Sequence, residues 1–352
     1  MRSQFREKLS GRELRSYRAE LLQRVRRKAG EVGFAVRFLP RDEREGILRV
    51  VGLAMIVVEI FRPEGELSAE GGGDGGEAGG DDGGSDGVGA CSCQGEGLAI
   101  ERTIAGNIIS YIYHEAESGS TGRAEIELYH LLLAQYDISE DAWLRFIDGI
   151  ADYFDPSRFA TRRSVYSRLD EVVRAIIDLV QPILFSGVVV DEQVREGLVM
   201  LGRGVLLTQI LGCFRSEWER RGRLLIPLDI LSELGMRDCD FTAILEGEDL
   251  DDDEVMRKVI HLVSEDAATC FAKGSEITTV MSGPSGRAIL LFAMQWKTIL
   301  VNLVKREADI TGSAIEKGLS SGGGRLRARD RFRLMRRALL LDGALLREGV
   351  SE

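Results

Sequence analysis

One stretch of the sequence decides the class of fold: VREGLVMLGRGVLLTQILGCFRSEWE, residues 194–219. Val194, Leu198, Leu201 and Val205 recur in it every three or four residues, which is the period of one face of an α-helix. The same kind of pattern predicts helices over residues 13–28, 44–61, 98–114, 126–135, 139–153, 161–184, 253–273 and 287–308. Alternating polar and apolar stretches of useful length are absent, so the sequence predicts an all-α fold.

The charge balance of the chain excludes one class of partner. The 352 residues include 46 basic and 57 acidic side chains, and nine of the acidic ones lie between Glu64 and Glu96. The rest of the chain is close to neutral, whereas a protein that binds nucleic acid through its phosphates carries a surplus of Lys and Arg. We therefore expect no nucleic-acid partner.

Two segments of low complexity divide the chain. Residues 63–97 are rich in glycine and acids, which bury too little apolar surface to offset the entropy cost of ordering, so we predict a disordered insert. Residues 320–324 form a glycine hinge before a tail that carries seven arginines between Arg325 and Arg337. The predicted organisation is one domain over residues 1–319 and a hinge and tail over residues 320–352.

The tail has two interpretations, which bear on where the protein works. A basic amphipathic helix can lie on an anionic membrane or on an acidic protein surface, and the alternative is a solvated terminal helix. The charged residues 1–28 contain no apolar signal-peptide core, and an odd number of cysteines, five, fits a reducing compartment. We therefore expect a cytoplasmic protein whose contact with a membrane is peripheral.

Five segments keep the order and spacing of a known family. They are FAVRFLP at residues 34–40, LRFIDG at 144–149, SRFAT at 157–161, LTQIL at 207–211 with RRGRLLIPLD at 220–229, and SGRAI at 285–289. Together they resemble the squalene/phytoene synthase family from about residue 15 to residue 305, interrupted by the insert. The resemblance implies a single-domain isoprenoid-synthase fold, in which a helical bundle surrounds a central cavity.

The resemblance also implies a chemistry. Members of the family join two prenyl diphosphates head to head, and Mg²⁺ ions held by two aspartate clusters neutralise the diphosphate leaving group. One cluster has the form DDxxD and the other DxxxD, on two facing helices. Aspartates four residues apart lie on one helix face, so both reach the same ions, and an apolar cavity shields the carbocation from water.

This sequence departs from the family at both clusters. The register places the first cluster at Val58, Glu59 and Arg62, where Glu59 is the surviving acid. The second cluster falls at Cys213 and Glu217, where Glu217 is the surviving acid. One carboxylate on each side makes a weak Mg²⁺ site. We therefore expect no cofactor, and Mg²⁺ if the protein is active; the catalytic residues stay unassigned.

The same departures predict a different way of binding a ligand. Arg62 and Arg215 lie close to the cluster positions, and guanidinium groups bind phosphate oxygens without a metal. Gln209 stands where the family has an asparagine, and the arginines at Arg221 and Arg223 are retained. These residues predict a prenyl diphosphate or an anionic lipid as ligand. The alternative is that the first two arginines point to solvent or pair with the surviving acids.

Two functions follow from this pattern. The first is a non-catalytic homologue that keeps the fold and binds a prenyl or anionic lipid ligand, or a protein partner. The alternative is an active prenyl diphosphate condensing transferase of isoprenoid biosynthesis with altered metal use. The two are discriminated by whether further carboxylates, such as Asp148 or Asp152, converge on Glu59 and Glu217 in space.

Overall fold

A computed structural model describes residues 11–28, 30–60, 122–154, 159–185, 190–221, 224–246, 252–279, 281, 283–307 and 334. All regular structure within these residues is helical, which confirms the all-α prediction. The α-helices are α1 (Gly11–Lys28), α2 (Gly30–Ala35), α3 (Arg41–Ile60), α4 (Gly122–Tyr136), α5 (Glu140–Phe154), α6 (Arg162–Leu184), α7 (Glu192–Arg221), α8 (Leu228–Glu233), α9 (Asp238–Glu246), α10 (Asp252–Gly274) and α11 (Gly283–Glu307). Two 3-10 segments cover Val36–Phe38 and Ser275–Thr279.

The long helices lie where the sequence pattern predicts them. The prediction over residues 161–184 corresponds to α6, and the prediction over residues 194–219 corresponds to α7. Three short helices, α2, α8 and α9, were not predicted, because six to nine residues span too few turns to show a period. The predicted helix at 98–114 and the insert at 63–97 lie outside the described residues.

The start of α6 is fixed by a capping box. The Thr161 side chain accepts a hydrogen bond from the backbone N–H of Ser164 at 3.2 Å, and the Ser164 hydroxyl accepts one from the Thr161 N–H at 3.3 Å. The chain that leads into α8 is anchored beside it, since the N–H of Leu228 donates to the carbonyl oxygen of Phe159 at 3.0 Å. Two of the segments that carry the family resemblance therefore meet in space.

The core consists of two main clusters of buried apolar side chains. The first cluster is built mainly by α7, α10 and α11, and the second mainly by α1, α3, α4, α5 and part of α6. Phe38, Tyr153 and Leu206 are half-buried and pack against both clusters. These three side chains mark the junction between the two halves of the core.

The helices around this junction form a closed ring. Helix α3 packs on α6, α6 on α7, α7 on α11, and α11 on the 3-10 turn Val36–Phe38, which packs on α3 again. Because each helix contacts the next and the last contact returns to α3, the inner faces of these helices border a common interior. We call the region that these helices surround the ring interior. The family resemblance predicts a central cavity at this place.

Glycine sets how closely α7 approaches its neighbours. A Cβ atom at Gly202 would overlap the side chain of Val173 in α6. A Cβ atom at Gly274, the last residue of α10, would lie 2.7 Å from Leu201 Cγ of α7. The absence of these two side chains lets α7 pack tightly between α6 and α10.

Among the described residues, two helices are long and apolar enough to cross a membrane by length and composition alone. The stretches are Glu192–Phe214 in α7 and Gly283–Lys305 in α11, and roughly half of each is buried inside the bundle. The two helices pack on each other and carry much of the first core cluster. Their packing in the core accounts for their apolar composition.

One residue of the arginine-rich tail is described. Leu334 is helical, only 3% exposed, and belongs to the first core cluster. The tail therefore packs on the domain at this residue, and the Leu334 side chain is not available to a lipid surface.

Candidate functional site

One face of α7 is partly exposed to solvent, although most of this helix is buried. Gln209 is exposed, although its two neighbours in the sequence are buried. Leu206, Gln209, Cys213 and Glu217 follow one another at three- or four-residue spacing, so they lie on one face of the helix. The other three are half-buried, and Leu206 packs against both core clusters. This face, which we call the inner face of α7, therefore borders the ring interior.

One half-buried face of α3 is apolar. Val51, Met55 and Val58 recur at helical spacing, are half-buried and pack against the second core cluster. Val58 occupies the first position of the predicted DDxxD cluster. At this position the chain contributes a packed apolar side chain, which cannot bind a cation.

Helix α11 contributes aromatic rings and one buried amide. Phe292 and Trp296 are half-buried and pack edge to face, with ring centroids 6.3 Å apart and planes 68° from parallel. Gln295 is completely buried, and neither its amide nitrogen nor its amide oxygen makes a hydrogen bond within the described part of the chain. A buried amide without hydrogen bonds is costly to the fold and calls for an explanation.

Gln295 is surrounded on α11 by buried apolar residues. Leu291 and Ile299 lie one turn before and after it and pack in the first core cluster, whereas Ala288, two turns earlier, packs in the second. Sequence analysis missed Gln295; the available signal was an uncharged polar residue inside the apolar run 288–296.

The predicted site residues are only partly located. Cys213 and Glu217 share the inner face of α7, and one Glu217 carboxylate oxygen is shielded from solvent. The side chains of Glu59, Arg215 and Arg221 are not among those described, and Arg62 and Arg223 lie outside the described residues.

The residues at the two cluster positions do not fit the metal ions of the family. Mg²⁺ takes hard oxygen ligands, and three such ions need several carboxylates. The inner face of α7 offers one carboxylate, Glu217, and one thiol, Cys213, while α3 offers Val58 and Glu59, whose side chain is not among those described. Over the described ranges, no group of three His, Cys, Asp or Glu side chains is placed to hold a metal ion.

Two further carboxylates were expected to discriminate between the two functions. Asp148 is exposed on the side of α5 that carries Arg145, whose guanidinium pairs with Asp178 of α6 at 2.9 Å. Asp152 is half-buried at the end of α5, where Arg168 donates to its backbone oxygen at 2.8 Å. Neither belongs to a group of three candidate metal ligands within the described part of the chain.

A second side of α7 carries a charged network that sequence analysis missed. Arg203 Nε donates to Asp170 Oδ1 of α6 at 2.7 Å, and its Nη2 donates to the other carboxylate oxygen. The guanidinium also lies 5.0 Å from the centre of the Tyr166 ring. Burial lowers the pKa of Arg203, but the hydrogen bond to Asp170, the charge of this carboxylate and a contribution from Cys270 together outweigh burial and leave this pKa raised. We call the group formed by Arg203, Asp170 and Tyr166 the outer network of α7.

Two side chains beside Arg203, those of Cys270 and Tyr166, have pKa values well above neutral pH. Burial raises the pKa of Cys270 to about 11, although Arg203 lowers it in part. Burial also raises the pKa of Tyr166, with a further contribution from the carboxylate of Asp266. Both groups are therefore uncharged at neutral pH.

Arg162 extends the network from α6 to α8 and α10. Its backbone N–H donates to Asp229 Oδ2 at 2.7 Å, its Nη2 donates to Glu233 Oε2 at 2.8 Å, and its Nε lies 3.4 Å from Asp266 Oδ2. A cavity lined in part by Arg162, Tyr166 and Asp266 leaves about 10 Å³ for the centre of a water molecule. It holds one water molecule at most, which is too small for a substrate.

Comparison with known proteins agrees with the helical fold described above. A sequence model described as squalene/phytoene synthase matches residues 103–331. The match includes the positions of Cys213 and Glu217 and begins after those of Val58 and Arg62. No curated protein sequence matches the chain.

Solved structures of similar fold include two that are named as synthases. A squalene synthase HpnC from Alicyclobacillus acidocaldarius aligns with TM-score 0.57 and 14% identity over 84% of this chain and 96% of that one. A dehydrosqualene synthase in complex with ligand aligns with TM-score 0.63 and 11% identity over 94% and 97%. YisP from Bacillus subtilis aligns with TM-score 0.57 and 11% identity over 90% and 100%.

At these identities the structural likeness concerns the fold alone. The sequence match is the stronger observation, because it extends over more than half of the chain and includes α4 to α11. The helical ring agrees with the expected isoprenoid-synthase architecture. The chain therefore belongs to the squalene/phytoene synthase family.

Proposed function

We propose that this protein is a non-catalytic member of its family that binds an isoprenoid chain in the ring interior. The observation that carries the proposal is the inner face of α7, where Cys213 stands at an acid position and Glu217 is the carboxylate that remains. Diphosphate is a poor leaving group unless its charge is neutralised. A thiol and one carboxylate on this face hold Mg²⁺ poorly, so ionisation of a prenyl diphosphate lacks its usual support.

The apolar inner faces support a hydrocarbon ligand. Val51 and Met55 pack against the second core cluster, Leu206 packs against both clusters, and Phe292 and Trp296 add aromatic surface from α11. Pockets that bind small apolar ligands have mainly apolar and aromatic walls with a few polar groups. An isoprenoid chain meets this description.

The test is incubation of the full chain with farnesyl or geranylgeranyl diphosphate and Mg²⁺, with pyrophosphate release as the readout. We expect no release above a heat-denatured control. The matched variant is Glu217→Gln, which removes the surviving carboxylate while keeping its volume. Release by the native chain that disappears in Glu217→Gln would overturn the proposal.

The second candidate is an active condensing transferase with altered metal use. The observation that favours it is Glu217 itself, held half-buried at the last acid position of the second cluster. In that case Mg²⁺ is the cofactor, and Glu59 and Glu217 hold it. Calorimetry of Mg²⁺ in the presence of pyrophosphate discriminates the two functions, since the first predicts weak binding and the second predicts binding in the micromolar range.

We also propose a cellular location for the protein and a membrane-binding role for its tail. We place the protein in the cytoplasm, with the arginines of the tail on an anionic membrane surface. Because Leu334 is buried in the core, charge rather than apolar insertion supplies the attraction. Sedimentation with phosphatidylserine vesicles tests it: we expect binding at low salt that is lost at high salt and on truncation after residue 324. Binding that survives truncation would contradict this role of the tail.

A further inference from the structure

The small cavity beside α7 is walled by residues of α6, α7, α8 and α10 and by the segment 225–227. Leu207 and Ile210 are the α7 residues in its wall, and neither belongs to the inner face. Three residues of the wall are polar, namely Arg162, Tyr166 and Asp266, and the others are apolar. The cavity therefore brings a cation, a hydroxyl and a carboxylate together inside an apolar surround.

Two of these polar groups carry a buried donor atom. Arg162 Nε and Tyr166 Oη are shielded from solvent, and neither makes a hydrogen bond within the described part of the chain. Arg162 Nε lies 3.4 Å from Asp266 Oδ2, which is an ion pair without the geometry of a hydrogen bond. Asp266 is also near enough to Tyr166 to raise its pKa, again without the geometry of a direct hydrogen bond. Two buried donors thus surround one carboxylate, and leaving both unsatisfied is costly to the fold.

Size and charge restrict what can satisfy these donors. The cavity leaves about 10 Å³ for the centre of a water-sized molecule, so anything larger than one water is excluded. The guanidinium of Arg162 repels a small cation, and the carboxylate of Asp266 repels a small anion. Opposite charges side by side favour a neutral molecule that both accepts and donates hydrogen bonds, and water does both.

We infer that this cavity binds one structural water molecule, whose oxygen accepts hydrogen bonds from Arg162 Nε and Tyr166 Oη and whose hydrogen is donated to the Asp266 carboxylate. The water links the first turn of α6 to α10, and it satisfies both buried donors. Buried waters with about three polar partners are costly to remove. The site lies away from the inner face of α7, so the inference does not depend on the proposed function.

A high-resolution crystal structure of the full chain locates the water directly. We expect an oxygen-sized density peak at hydrogen-bonding distance, about 2.7–3.2 Å, from Arg162 Nε, Tyr166 Oη and one Asp266 oxygen. Clear density for the three side chains without such a peak would overturn the inference.

Tyr166→Phe tests whether the hydroxyl has a partner. The variant removes one donor to the water but keeps the ring that Arg203 covers. We expect the folding equilibrium constant, measured by urea denaturation, to fall about fivefold. In a dry cavity the same change removes a buried hydroxyl that has no partner, so an unchanged or raised constant would contradict the bridging water.

Val263→Ile separates a bridging water from a direct bond between Tyr166 and Asp266. Val263 lies in the wall of the cavity, and the added methyl group displaces a water. We expect the folding equilibrium constant to fall, and to fall less in the Tyr166→Phe background, where one of the two donors is already absent. In a dry cavity the methyl group fills a void, so the variant would stabilise the protein.

Val259→Ile is the matched control for overpacking. Val259 lies one turn earlier on α10, is also buried, and does not line the cavity. Its effect should be the same with and without Tyr166→Phe, because it touches no water. If Val263→Ile raises the folding equilibrium constant, or lowers it equally in both backgrounds, the bridging water is refuted.

Discussion

The two sides of helix α7 differ in what their polar groups do. On the outer network, Arg203 pairs with Asp170 through two hydrogen bonds and covers the ring of Tyr166. On the inner face, Gln209 is exposed and Cys213 stands at an acid position of the family. The outer side joins α6 to α7, so its charges hold the fold together. The inner side borders the ring interior, so its residues can change without loss of the fold.

The largest expected effect on stability is at Arg203. Its side chain and that of Asp170 are 16% and 20% exposed, so Arg203→Leu leaves a largely buried carboxylate without its partner. We expect a loss of about 3 kcal/mol in the free energy of unfolding, measured by urea denaturation. The double variant with Asp170→Leu should recover more than half of this loss. A single-variant loss below about 1 kcal/mol would mean that the outer network does not stabilise the fold.

The next largest effect on stability is expected at Gly202, where α7 contacts α6. Gly202→Ala places a methyl group against Val173, and we expect a loss of about 2 kcal/mol in the free energy of unfolding from overpacking. Gly33→Ala is the matched control, because no atom lies within 4 Å of its Cβ position. The control should be neutral or slightly stabilising, since alanine favours a helix more than glycine does. Equal effects at both positions would refute close packing at Gly202.

A smaller effect on stability is expected at the inner face. Cys213→Asp should change the free energy of unfolding by less than about 1 kcal/mol, because the side chain is half-buried and not part of the tightly packed core. The new carboxylate stands four residues before Glu217, so the two can reach one ion. Mg²⁺ affinity measured by calorimetry should rise about tenfold. An unchanged affinity would show that the register of the second cluster is wrong.

The smallest perturbation of the structure is chemical labelling of its cysteines. Burial raises the pKa of Cys270 from 9.0 to about 11, whereas Cys239 is exposed. At pH 8 we expect iodoacetamide to label Cys239 rapidly and Cys270 only on unfolding, as followed by peptide mass spectrometry. Rapid labelling of Cys270 in the folded protein would contradict its place in the core.

The same thiol contributes a pH dependence. The pKa of Cys270 is higher in the folded state, so between about pH 9 and pH 11 the unfolded state loses this proton while the folded state keeps it. Stability should therefore fall as the pH rises through this range. In Cys270→Ala the decline should be shallower, because the titrating group is absent.

The long helices and the family could be predicted from the sequence. Helical periodicity is a local property, and in α6 and α7 it extends over many turns, so their bounds were found to within about two residues. The resemblance in the segments around Gln209 and Arg221 is confirmed by the family match over residues 103–331. The replacement of acids by Val58 and Cys213 could likewise be predicted from the sequence, because aligning the chain with the family's motifs requires no structure.

What each residue contacts was decided by the tertiary structure. The sequence pattern of α7 does not show that Arg203 meets Asp170 or that Gln209 is exposed, because partners more than 30 residues away determine both surroundings. Gln295 lies in a run that predicts only a buried helix, and its lack of hydrogen bonds emerges when that helix packs on its neighbours. Local periodicity fixes where helices form, whereas burial and polar partners depend on packing between distant segments.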